Sequence, residues 1–179
     1  HALSLDLYRT GNSDAMYLAG LIADEKKITK ADLQEWVEKA YWSYLNEYAV
    51  PWVAGETPFG FELGKEWILS PSEIIASAGW STLASFASVH EDDVLAIDEY
   101  INLLELIKTQ IHLSQNRVKY AMNGFVISVA LYIAPLTQKA LEIANSIGTV
   151  TVEMNGTACK VPLAADYINK NVANGRVGK

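Results

Sequence analysis

The sequence predicts an all-α fold built from stacked pairs of helices, with a small β-hairpin near residues 150–161. Half of the 179 residues are apolar, which is enough for one sizeable hydrophobic core. Apolar residues recur along most of the chain at the spacing of three and four that is typical of amphipathic helices. Turn and capping residues interrupt this spacing repeatedly. We therefore expect a single domain over residues 1–179.

The first part of the chain contains two predicted helices. Residues 15–22 place apolar side chains at the i, i+3, i+4 and i+7 positions of one helix face. Thr29 followed by Asp32 is typical of a helix N-terminus, and it opens a run that we expect to stop at Pro51. Residues 51–64 contain two Pro and three Gly, which indicates a loop or a broken short helix.

The second part begins with a strong helix start. Ser70 can cap a helix and Pro71 fits its first turn, so we expect a helix that reaches about Val89. The remaining helical patterns are separated by turn residues. The last of these patterns ends at Gly148, which suits a left-handed conformation at a helix C-terminus. These helices are expected from about residue 92 to 107, from 117 to 133 and from 135 to 148.

The pattern changes after residue 149. Residues 150–154 alternate apolar and polar side chains, as in a strand, and Asn155-Gly156 is the preferred two-residue hairpin turn. Residues 157–161 would then form the second, returning strand. This predicts the β-hairpin. A last helix is expected from Pro162 to about Val172, followed by a basic, Gly-rich tail that we expect to be mobile.

The spacing of the predicted helix starts favours a helical-repeat protein. Starts near residues 30, 70, 92, 116 and 135 are compatible with degenerate repeats of the HEAT type, whose units contain about 40–47 residues. Such repeats stack into curved surfaces that hold an extended partner. An irregular helical bundle remains the alternative.

Charge is distributed unevenly along the chain. Residues 1–107 hold 6 Lys/Arg and 18 Asp/Glu, a net charge of −12, whereas residues 108–179 hold 8 and 3, a net charge of +5. A basic face on an acidic protein can contact phosphates. The alternative is that the charges are scattered over solvated helix faces.

Several classes of function lack a signature. The three His residues lie far apart in the sequence, no nucleotide-binding or metal motif is present, and no apolar run is long enough to cross a membrane. We therefore expect no metal, no cofactor and no membrane partner. Cys159 is the single cysteine, which excludes an intramolecular disulfide and agrees with a cytoplasmic location.

Two aromatic features are candidates for function. Trp36, Tyr41, Trp42, Tyr44 and Tyr48 fall in one predicted helical segment, where they form either core or a stacking surface for bases. Trp80 is flanked by small residues, which would admit either a flat partner or a closely packed helix.

The segment from Asn116 to Gly124 combines cations, amides and a helix start. Arg117 and Lys119 lie in the first turn, where free backbone N–H groups and positive side chains together favour phosphate. Asn123 lies deeper in an apolar helix, so it needs a hydrogen-bond partner there.

Five segments of the chain carry a resemblance through their order: residues 7–19, 74–83, 116–125, 148–168 and 175–179. Together they make the sequence resemble the bacterial DNA alkylation repair family. The resemblance covers nearly the whole chain, and we expect the first helices of the family to be missing. It implies HEAT-like repeats that cradle duplex DNA in a basic concave groove, and an active branch that removes positively charged alkylpurines.

The resemblance also implies a degenerate catalytic site. In the active branch a Trp is followed four residues later by an Asp, with an Arg and a second Trp further along. Trp80 matches the first Trp, but the Asp position is Ala84, no cation stands at residues 121–123, and no Trp follows Trp80. A rearranged glycosylase site would use another carboxylate, such as Glu73 or Asp14.

We therefore expect a protein that binds double-stranded or damaged DNA on a glycosylase-like scaffold with degenerate catalytic positions. A non-catalytic protein-interaction scaffold is the alternative. The residues expected to bind DNA are Lys108, Arg117, Lys119, Asn123, Lys160, Lys170, Arg176 and Lys179.

Overall fold

A computed structural model describes residues 1–154, 156 and 159–178. These residues form ten α-helices, one π-helical turn and two 3-10 turns, and they contain no strand, so the all-α prediction is confirmed. The π-turn is Leu45–Ala49, and the 3-10 turns are Ile111–Leu113 and Ala134–Leu136. The helices are α1 (Ala2–Arg9), α2 (Ser13–Leu21), α3 (Lys30–Lys39), α4 (Val50–Glu56), α5 (Gly60–Trp67), α6 (Glu73–Val89), α7 (Ile97–Gln110), α8 (Asn116–Tyr132), α9 (Thr137–Ile147) and α10 (Ala164–Ala173).

The chain divides into two compact units, His1–Phe86 and Ala87–Lys179. In the first unit α1 packs on α2, and the rings of Tyr8 and Trp36 stack in the core with centroids 4.2 Å apart. The Tyr8 hydroxyl donates to the Trp36 carbonyl at 2.7 Å, so this buried polar group is satisfied. The single domain over residues 1–179 stays a prediction.

Helix α3 begins where its capping residues predict. The Thr29 hydroxyl accepts from the Asp32 backbone N–H, and the Asp32 carboxylate accepts from that of Thr29. The predicted run to Pro51 is wrong, because Ala40 is extended and ends the helix. Pro51 instead lies near the start of α4, directly after the π-turn, where the helical backbone continues through it although it has no N–H to donate.

Residues 51–64, predicted as a loop or a broken short helix, follow the second alternative, since α4 and α5 occupy most of this segment and only residues 57–59 separate them. Two glycines, Gly64 in α5 and Gly79 in α6, allow close helix packing. A Cβ at Gly64 would lie 2.7 Å from Cγ of Leu83, and a Cβ at Gly79 would lie 2.6 Å from the Ile68 nitrogen. Helices α5 and α6 therefore approach each other more closely than any larger residue would permit.

The second unit is built around α8, which packs on α9 and α10. The unusually apolar sequence of α8 is explained by its position, since Phe125, Val126 and Val129 are fully buried. Phe125 stacks in parallel with Tyr100 of α7, with ring centroids 5.8 Å apart. Burial raises the pKa of the Tyr100 hydroxyl.

The predicted β-hairpin near residues 150–161 is not borne out. The described residues of this segment lie in no strand, while Asn155, Thr157 and Ala158 lie outside the described residues. The side chain of Asn116 accepts from the Glu153 N–H at 2.7 Å and donates to its carbonyl at 2.9 Å. A helix side chain thus binds the backbone groups that a strand partner would use.

The described part of the C-terminal segment contacts the second unit, and the mobility of the tail stays a prediction. Gly178 donates its backbone N–H to the Leu131 carbonyl at 2.7 Å. Within the described residues no single helix is long and apolar enough to cross a membrane. The segments Asn116–Tyr132 and Ala134–Ile147 reach that length and composition only together, across a bend of 114°.

Candidate nucleic-acid interface

Five aromatic side chains form a continuous surface on the first unit. Trp42 stacks on Tyr44 with centroids 4.7 Å apart, and the series continues from Tyr44 to Tyr48 at 5.5 Å and from Tyr48 to Trp52 at 5.7 Å. Tyr17 makes edge contacts with Tyr44 and Trp52. Since Trp42, Tyr44 and Trp52 are 37%, 51% and 41% exposed, this aromatic surface offers ring faces to a partner.

The aromatic surface spans the π-turn. Tyr44 precedes the turn, Tyr48 lies within it, and Trp52 follows in α4. In a regular α-helix, residues four apart drift around the axis by about 40° per step. A π-turn closes a wider loop with i→i+5 hydrogen bonds, so it offsets this drift and keeps the three rings in contact.

A buried amide attaches the π-turn to α6. Asn46 is 3% exposed, and its Nδ2 donates to the Ser77 hydroxyl at 2.8 Å, with a longer contact of 3.4 Å to the Ile74 carbonyl. The Ser77 hydroxyl in turn donates to the same carbonyl at 3.0 Å. The Asn46 Nδ2 and the Ser77 hydroxyl of this buried cluster therefore both have hydrogen-bond acceptors.

Trp80, the predicted lesion contact, lies in the core with 1% of its surface exposed. Its small neighbour Gly79 faces the backbone of α5, with only 2.9 Å from an added Cβ to the Gly64 oxygen. The small residues around Trp80 thus permit close helix packing, and a flat partner has no access to the indole in this structure. Ala84, at the expected carboxylate position, is half-buried.

The structure suggests a different register for the tryptophan that the resemblance implies. Trp42 is exposed and is followed four residues later by Asn46, which repeats the Trp-to-Asp spacing with an amide in place of the carboxylate. The spacing was available in the sequence, but only exposure separates Trp42 from Trp80. The carboxylates of the rearranged site are also located: Asp14 is exposed in the first turn of α2, and Glu73 is half-buried at the start of α6.

In the second unit, the predicted phosphate contacts at the start of α8 are partly shielded. The Arg117 guanidinium lies over the Tyr120 ring, 4.5 Å from its centroid, and Nη1 lies 3.5 Å from the Met154 sulfur. Such stacking presents a planar cation with few conformations to lose on binding. Lys119 is half-buried on the same helix.

Most of the other residues predicted to bind DNA lie on the surface of the second unit. Asn123 is the exception, because it is 1% exposed and its Nδ2 donates to the Pro162 carbonyl at 3.0 Å, which makes it a structural tether rather than a phosphate ligand. Lys179 lies outside the described residues. The exposed cations are Lys108, Lys160, Lys170 and Arg176.

These exposed cations and Lys119 make no ion pair within the described part of the chain. Lys139, which was not among the predicted contacts, differs because it pairs with Glu105 across α7 and α9, and the hydrogen bond lowers the pKa of Glu105. Lys139 is therefore neutralised locally. The described residues contain no cluster of three or more His, Cys, Asp or Glu that could hold a metal ion.

Comparison with known proteins gives consistent results. Residues 1–160 match the model of a family described as "DNA alkylation repair enzyme". An uncharacterized protein of Listeria monocytogenes serovar 1/2a is 32% identical over 172 residues, covering 95% of this chain and 73% of that protein. An uncharacterized protein of Listeria innocua serovar 6a is 31% identical over the same length, with the same coverage of each chain.

A solved structure has the same fold, with a TM-score of 0.92 and 36% sequence identity. It covers 99% of this chain, and the match spans 75% of that chain. It is described as "a new family of proteins related to the HEAT-like repeat DNA glycosylases with affinity for branched DNA structures". The predicted HEAT-like helical fold is thereby confirmed.

Proposed function

Because the chain belongs to the DNA alkylation repair enzyme family, we propose that it binds damaged or branched DNA without excising bases. The observation that carries this proposal is the exposed aromatic surface around Trp42 and Tyr44. Aromatic faces suit bases that have left their stack, because every base has a face on which a ring can pack. The affinity of the structural relative for branched DNA supports this choice of partner.

The cations of the second unit supply the second part of the proposal. Exposed cations that form no ion pair within the described part of the chain can neutralise phosphates, and each phosphate contact releases counterions. In complexes with nucleic acids, contacts to bases give sequence specificity, whereas contacts to phosphates fix the position of the protein. We assign the positioning role to Lys108, Lys119, Lys160, Lys170 and Arg176, together with the stacked Arg117.

Binding to a labelled four-way DNA junction is expected to be detectable by fluorescence anisotropy and to weaken steeply with salt. Neutralising Lys160 and Lys170 together, as glutamines, is expected to lower the slope of log K against log salt by up to about 0.9 for each phosphate that is no longer neutralised. The matched control is Lys139→Gln, which removes a cation already paired with Glu105 and should leave the slope unchanged. Absence of binding to junction and duplex at low salt would refute the proposed function.

No release of alkylated bases from methylated DNA is expected above that of heat-denatured protein. Ala84 and Asn46 both lack the carboxylate that would stabilise positive charge on the sugar, and losing one charge-stabilising group costs about 10²–10³ in rate. Chromatography of the released bases provides the measurement. Release that disappears in Glu73→Gln or Asp14→Asn would instead establish the rearranged glycosylase site.

A further inference from the structure

We propose that Ser77 is the positioning residue of the aromatic surface: it orients the Asn46 amide and thereby keeps the π-turn in register. The inference rests on the proposed function, since the aromatic surface acts there as the contact with DNA. Neither residue has a ring or a charge, and both are buried, with Asn46 3% and Ser77 0% exposed. Their role is exerted through the side chains on either side of Asn46.

The direction of the hydrogen bonds fixes the amide. The Ser77 hydroxyl uses its proton on the Ile74 carbonyl at 3.0 Å, so toward Asn46 it can only accept. The Asn46 Nδ2 therefore donates to Ser77 at 2.8 Å, and its longer contact is to the carbonyl of Ile74, another acceptor. An Asn46 amide turned by 180° would place its oxygen against two acceptors in a buried site, which is strongly unfavourable.

This fixed amide holds an unusual backbone conformation. The π-helix is rare and occurs mostly as single turns, so it needs support from tertiary contacts. A π-turn contains one residue more than an α-turn. Its loss would return the segment to α-helical spacing, in which Tyr48 and Trp52 are displaced around the axis by about 40° and 80° from Tyr44. The ring contacts from Tyr44 to Tyr48 and from Tyr48 to Trp52, at 5.5 and 5.7 Å, would then lose their present geometry.

The same geometry distinguishes an amide from a carboxylate at this position. Asp is nearly isosteric with Asn, but an ionised Asp has no proton for Ser77 or for the Ile74 carbonyl. Asn46→Asp should therefore disturb the aromatic surface as Ser77→Ala does, although the side chain keeps its size. A residue that only filled space would tolerate this change.

The test compares Ser77→Ala, Asn46→Asp and Ser77→Thr with the unmodified protein, and it measures near-ultraviolet circular dichroism, four-way junction affinity and its salt slope. We expect Ser77→Ala and Asn46→Asp to reduce the aromatic dichroism and to weaken junction binding by about fivefold or more. A fivefold loss is the lower end of the range expected when one base no longer stacks on an aromatic ring. The salt slope should not change, because phosphate contacts remain. Ser77→Thr keeps the hydroxyl and should retain both the dichroism and the affinity.

The matched control is Thr137→Ala in the second unit, which also removes a hydroxyl that donates to a backbone carbonyl, that of Ala130 at 2.7 Å. It should lower the melting temperature without altering dichroism or affinity. If Ser77→Ala or Asn46→Asp folds and keeps both signals, or if Ser77→Thr loses them, Ser77 is not a positioning residue. The proposed function would still stand in that case if alanine at Trp42 and Tyr44 weakens binding, and it would fail if that variant binds normally.

Discussion

Replacing Trp42 and Tyr44 together by alanine is expected to weaken binding to a four-way DNA junction by about one to two orders of magnitude. The two rings are stacked 4.7 Å apart and remain 37% and 51% exposed, so they offer a preformed platform. Stacking of a base on an aromatic side chain contributes about 1–3 kcal/mol. Fluorescence anisotropy titrations at several salt concentrations measure the effect. The plot of log K against log salt concentration should shift without a change of slope.

Tyr41→Ala is the matched control for this pair. Tyr41 is 58% exposed and adjacent in sequence, but its hydroxyl donates to the Gly11 carbonyl at 2.9 Å, and its ring is not part of the aromatic surface. Its removal should change junction affinity by less than about threefold, within the range of ordinary surface substitutions. Equal losses in the control and the pair would show that the aromatic surface has no specific role.

Gly79→Ala is expected to destabilise the protein by about 1–3 kcal/mol, the range of overpacked cores. The added Cβ would lie 2.6 Å from the Ile68 nitrogen and 2.9 Å from the Gly64 oxygen. Both are backbone atoms, so relief requires α5 and α6 to separate. For a chain of this size the melting temperature should fall by about 2–12 °C, as measured by circular dichroism at 222 nm.

Gly124→Ala makes the same chemical change at another glycine, and there we expect the protein to become more stable rather than less. Gly124 lies within α8, and an added Cβ would meet no atom within 4 Å. Because Gly inside a helix is less favourable than Ala by about 0.5–1 kcal/mol, this variant should be slightly more stable. A Gly79→Ala protein as stable as the unmodified one would contradict the close helix contact.

Sequence reasoning located the helices that local chemistry determines. Thr29 and Asp32 form the predicted capping box. Gly148 has a positive φ of 59°, as its position after α9 suggested, although its ψ of −137° lies outside the left-handed helical region. Sequence reasoning failed where tertiary contacts override local preference. The strand-like residues near Glu153 are bound by the side chain of Asn116, and a partner 37 residues away in the sequence leaves no local signal.

The candidate site was predictable in composition but not in arrangement. Aromatic side chains on a helix can be core or surface, and the sequence could not separate buried Trp36 from exposed Trp42, because the break at Ala40 and the π-turn that follows have no simple sequence signature. Trp80 was a candidate because its neighbours in the sequence are small, yet its neighbour Gly79 allows the close contact between α5 and α6. Burial, a property of the folded chain, decides between such interpretations.

The uneven burial of the five tryptophans gives the protein two natural fluorophore populations. Trp36, Trp67 and Trp80 are at most 2% exposed, whereas Trp42 and Trp52 are 37% and 41% exposed. Emission from the first group should be blue-shifted and shielded from acrylamide, while emission from the second should be red-shifted and quenchable. Ligand titrations can therefore be followed without an attached dye, because a molecule seated on the outer indoles changes only the long-wavelength component.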